Sequence, residues 1–145
     1  MDENIELLEY IYKNSEMCTY TLKKLLSDLG NRENKIKKLI DDEIKEYEKY
    51  LKECKKIIKK NNYELKENSL MAKMGSSMGI KKEVRKDNSD AAIAHMITEG
   101  ITMGIVDIES KIKNYKDSVD KKIYKLAKDY LDYHQKEIEK LKEYM

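Results

Sequence analysis

The chain has 145 residues, with 30 basic and 28 acidic side chains, a formal net charge of +2, and 40% of its positions charged. That length is one domain's worth, and so even a charge balance excludes the strong overall field of a nucleic-acid binder or of a protein held on an anionic membrane. The absence of proline, with only five glycines, excludes a loop-rich fold, while the abundance of Lys, Glu, Leu, Ile and Met points to an all-α one.

With neither Phe nor Trp, eleven tyrosines must supply the rings of the core. Their hydroxyls need partners when buried, so a partly polar core is expected. The start, Met1-Asp2-Glu3-Asn4, lacks the basic and then apolar profile of a secretory signal, and a cytoplasmic location is the expectation. Cys18 and Cys54 are too few and too far apart for a zinc or disulfide framework; both fall on apolar helix faces, where a cysteine is a small core residue.

In chain order, residues 4–29 set Leu8, Ile11, Ser15, Cys18, Leu22, Leu25 and Leu29 on one stripe at steps of three and four, a first helix that Gly30-Asn31 stops. Glu16 lies well off that stripe and is expected to face water. A second helix, residues 32–60, carries Ile36, Ile40, Glu43, Tyr47, Tyr50, Cys54 and Ile57 in alternating steps of four and three, the seam of a near-parallel bundle. Residues 61–88 then form a long connection with a short helix over 69–74, and the Met71, Met74 and Met78 face is expected to seal it against the bundle.

The capping cluster Asp87-Asn88-Ser89-Asp90 opens a third helix, residues 89–115. From Asp90 to Ile108 it is nearly free of charge, which predicts the buried central staff of the bundle. Gly100 and Gly104 leave one face of it bare, and Gly100 is expected to lie against the fourth helix near His134. A membrane-dimer reading of this glycine pair fails because His95, Glu99 and Asp107 interrupt the apolar run. The fourth helix, residues 118–144, places Ile123, Ala127, Tyr130, His134, Glu137 and Leu141 on its inner stripe.

Short links between the first two and the last two helices predict antiparallel hairpins. The connection over 61–88 is long enough to traverse a bundle of about 40 Å, so an up, down, down, up arrangement is expected. Two hairpins with a traversing crossover, inward carboxylates and one inward histidine, together with the blocks Asp87-Asn88-Ser89-Asp90 and Glu99-Gly100-Ile101-Thr102-Met103-Gly104, resemble the ferritin-like superfamily of four-helix bundles. The resemblance implies that fold over nearly the whole chain, and leaves room for iron or another transition metal.

Di-iron members of that superfamily use one Glu from each of two helices and a Glu-x-x-His pair from each of the other two. Here Glu46 stands where Glu43 would need its histidine, and Leu131 stands where His134 would need its glutamate. A complete set cannot be assembled. What remains is Glu43, His134 and Glu137, with Glu99 if its helix is rotated, and Tyr130 a turn before His134; Glu43 is expected to meet Tyr130 or His134.

One reading of this cluster is a reduced metal or small-ligand site, with a water completing the coordination. The other is a hydrogen-bonded network that fixes register. No catalytic residues are assigned, and no cofactor is required. The expected function is a binding or interaction module for a small ligand, able to self-associate, with no nucleic-acid or membrane partner. The alternative is a metal-binding oxidoreductase or metal store.

Overall fold

The computed structural model describes residues 2–65, 68 and 70–145. Its described residues hold five helices and no strand: α1 Glu3–Leu29, α2 Lys37–Asn61, α3 Leu70–Lys86, α4 Asp90–Tyr115 and α5 Lys121–Lys142. The all-α expectation therefore holds.

Local chemistry sets the helix ends. Asp2 accepts a 2.7 Å bond from the Asn4 N–H, and Glu3 and Glu6 put negative charge at the positive end of α1. At its far end Gly30 adopts φ +58° and donates to the Leu26 and Ser27 carbonyls, a conformation that suits a residue without Cβ. Ser89 Oγ caps α4 by accepting from Ala92 N–H at 3.2 Å, as its capping cluster predicts.

Helices α1 and α2 pack together, as do α4 and α5, and α3 lies on α1. Two sets of polar contacts locate the ends. Asp90, the first residue of α4, accepts from Asn34 Nδ2 at 3.0 Å and from the backbone N–H groups of Lys35 and Ile36, so α4 begins at the α1–α2 turn. At the opposite end the Asp120 N–H donates to Asn4 Oδ1 at 2.7 Å, and the Tyr115 hydroxyl donates to Glu6. Helix α5 therefore starts beside the start of α1.

The crossover differs from the expectation. Its helix is 17 residues long, not a short piece over 69–74, and it buries Val84 and partly buries Ile80; Ser69 lies outside the described residues. Met71, Met74 and Met78 point outward, and Met71 is 83% exposed, so these methionines do not seal the crossover. The seal comes from the other face. Glu16 is half-buried beneath this connection, where Oε1 accepts from Asn68 and pairs with Lys73 at 3.4 Å, instead of facing water.

Helix α4 departs from its expected role as the enclosed central staff. By length and composition it could span a bilayer, yet only 28% of its most apolar window is buried. It buries one stripe, Ile93, Ile97, Ile101, Gly104, Ile108 and Ile112, and leaves Met103 and Val106 in the open. Its apolar character exceeds what the core uses.

Candidate functional site

The four-and-three spacing on α2 delivers Glu43 and Tyr47 to the core one turn apart, and the same spacing on α5 delivers Tyr130, His134 and Glu137. All five are buried. Helix α1 adds Asn14, Ser15 and Cys18, and α4 adds Gly104. A Cβ on Gly104 would stand 3.5 Å from Asn14 Nδ2 and 3.9 Å from His134 Nε2. The glycine facing His134 is therefore Gly104, one turn beyond the expected Gly100, which is exposed and has nothing within 4 Å of its Cβ position.

His134 is held at both nitrogens. Nδ1 lies 2.8 Å from the Tyr130 carbonyl, which can only accept, so the proton of the neutral ring sits on Nδ1. Nε2 is then an acceptor, and the Tyr47 hydroxyl donates to it at 3.2 Å. Burial lowers the imidazole pKa, against the Tyr130 carbonyl and Glu137, which raise it, and keeps the ring neutral.

Tyr130 turns its own hydroxyl to Asn14 Oδ1 at 2.5 Å, an acceptor that no apolar periodicity marks. Around this network the rings of Tyr47, Tyr50, Tyr130 and Tyr133 meet edge to face, with Tyr50 and Tyr130 centroids 4.8 Å apart and Tyr130 4.3 Å from the His134 ring. This cluster fills the space that Phe and Trp fill elsewhere.

One turn further along, Glu43 meets Glu137 rather than Tyr130 or His134. Burial first, then hydrogen bonding to Glu137 and its charge, push the Glu43 carboxyl up to about 9. Lys140, more than half exposed, pairs with Glu137 Oε1 at 3.1 Å and closes the cluster from outside. Both Glu43 oxygens and Glu137 Oε2 are buried without a donor. A single proton held by Glu43 and donated to Glu137 turns a repelling pair into a hydrogen-bonded one.

The four residues singled out from the sequence thus separate. Glu43 and Glu137 come together, and His134 sits a turn from Glu137 on the same stripe. Glu99 is exposed on α4. Among the described residues no group of three or more His, Cys, Asp and Glu is placed to hold a metal ion. Beside Tyr47 stands Cys18, whose thiol burial pushes up to about 12 against the opposing Tyr47 hydroxyl, and on α1 the buried Ser15 donates to the Ile11 carbonyl at 2.6 Å. Both are uncharged. Comparison with protein-family models, characterised proteins and solved structures finds no match for this chain.

Proposed function

We propose that the chain is a ferritin-like bundle in which α1, α2, α4 and α5 run up, down, down and up, with α3 as the crossover, and that it works as a binding module without a complete di-iron centre. The ties of Asp90 to the α1–α2 turn and of Asp120 to Asn4 support the topology. The observation that carries the functional reading is the state of His134: one nitrogen donates to Tyr130 and the other accepts from Tyr47. To ligate a metal it must give up the Tyr47 bond and leave a buried hydroxyl without the acceptor for its hydrogen.

The test is the metal content of protein purified after growth with added iron, manganese, zinc or copper, beside Glu43→Ala and His134→Ala. The expected result is substoichiometric metal in all three. Stoichiometric metal in the parent that both substitutions remove would overturn the reading.

A second reading, a metal store or metal-dependent oxidoreductase, draws on the three buried carboxylate oxygens that lack donors. A cation between Glu43 and Glu137, completed by water, would satisfy them. On that reading added Mn2+ or Fe2+ raises the Tm of the parent and not of Glu43→Gln or Glu137→Gln; equal shifts in all three would dispose of it.

A further inference from the structure

A second feature of the interior lies apart from the carboxyl pair. Between α1, α3 and α4 is a half-open cavity of about 230 Å³, walled chiefly by Leu22, Leu25, Ile80, Met96, Ile97 and Ile101. Gly100 stands in this wall with nothing within 4 Å of its Cβ position. Glycine weakens a helix interior, and no neighbour here requires it. Its missing side chain keeps the space open.

The wall defines the chemistry of an occupant. A dry aliphatic cavity of roughly 150 Å³ takes up benzene, so this larger one has room for a fused pair of small rings. No Asp, Glu, Lys or Arg lines it among the described residues, so an ion entering would lose its hydration without a counter-charge. The polar groups present are Cys18, Thr21, Tyr47 and Ser76. Thr21 donates its hydrogen to the Cys18 carbonyl at 3.2 Å, Tyr47 donates to His134, and the Cys18 thiol is turned to Asn14 Oδ1 at 3.7 Å. With those three hydrogens committed, Thr21 keeps a lone pair to offer and Ser76 adds a hydroxyl oxygen that can accept. A matching ligand brings the donor.

We infer that this cavity binds a small, neutral, mostly aromatic or branched apolar molecule carrying a single N–H or O–H donor. The inference rests on the binding-module reading and names its ligand class. Because Tyr47 also donates to His134, the buried network would hold the cavity's polar wall in place.

The test titrates the isotope-labelled full chain with indole and with indene, the same ring frame without the N–H, following amide shifts by NMR. The expected result is saturable shifts within residues 21–25, 76–80 and 96–101, with indole bound about five-fold more tightly, the ratio one net hydrogen bond supplies. Gly100→Leu and Met96→Phe, which fill the space from two positions, are expected to stay folded and lose both probes; Thr21→Val is expected to bring the two affinities together. Absence of saturable shifts in the parent, undiminished binding in a folded filled variant, or indene binding as tightly as indole would each overturn the inference. Metal that depends on Glu43 and His134 would instead overturn the proposed function, and the titration is read on protein stripped of metal, so the two failures are distinct.

Discussion

Glu43 is a carboxylic acid whose environment makes it keep its proton through neutral pH, and that has a definite sign for stability. Its pKa rises on folding from 4.5 to about 9. The folded state therefore gains most below pH 4.5 and loses that gain as pH climbs through about 9. His134 acts oppositely, since its pKa falls on folding from 6.5; its contribution is present above 6.5 and is lost as pH falls below that. Glu43→Gln, which keeps a donor toward Glu137 without a proton to lose, is expected to flatten the alkaline decline and to be more stable than the parent by about 2 kcal/mol once the parent's pair is doubly charged. Thermal unfolding followed by circular dichroism from acid to alkaline pH checks this, and parallel curves for the two proteins would rule it out. Tyr47→Phe leaves His134 Nε2 buried without its donor, an expected loss of about 1–3 kcal/mol in chemical denaturation. A loss within error of zero would mean that water replaces the hydroxyl.

On the scale of the helix, the two glycines of α4 have opposite characters. Gly104 packs on Asn14 and His134 at ordinary contact distance for a Cβ, so alanine fits but Gly104→Leu is expected to overpack the core and cost about 1–3 kcal/mol. Gly100 is bare for space and not for packing, and Gly100→Ala is expected to stabilise by up to about 1 kcal/mol through helix propensity alone. Tm values for the three variants decide the matter; a destabilising Gly100→Ala would place that glycine back against a neighbour. The sequence reading set Gly100 rather than Gly104 against His134, for an identifiable reason. The expected start of the fourth helix is residue 118, whereas α5 begins at Lys121. Three residues of turn are most of a helical turn, which moves the partner of His134 from Gly100 to Gly104. Stripes such as Glu43, Tyr47, Tyr130, His134 and Glu137 were legible because apolar periodicity reports which face is inward. Partners were not, because periodicity says nothing of height: Glu43 found Glu137, Tyr47 found His134, and Tyr130 found Asn14. The length of α3 was hidden by Gly75, Ser76, Ser77 and Gly79, weak helix formers that packing on α1 overrides.

For the molecule as a whole, the ends decide whether two hairpins make one cooperative body. Asp90 joins them at one pole with three acceptor contacts to Asn34, Lys35 and Ile36, while Asn4 joins them at the other through Asp120. Asp90→Ala is expected to cost about 1–2 kcal/mol and to raise amide exchange at the start of α4 more than in its middle, since the loss is local to one pole. Uniform acceleration along α4 would show instead that the hairpins separate globally. The four packed tyrosines add a practical consequence. With no tryptophan in the chain to dominate its optical signal, near-ultraviolet dichroism reports chiefly the asymmetry of tyrosine rings, and the densest set of them, Tyr47, Tyr50, Tyr130 and Tyr133, touches the His134 network. The protein thus carries an unlabelled spectroscopic gauge of its own interior, one that should fade when side-chain packing loosens even while the far-ultraviolet helix signal persists.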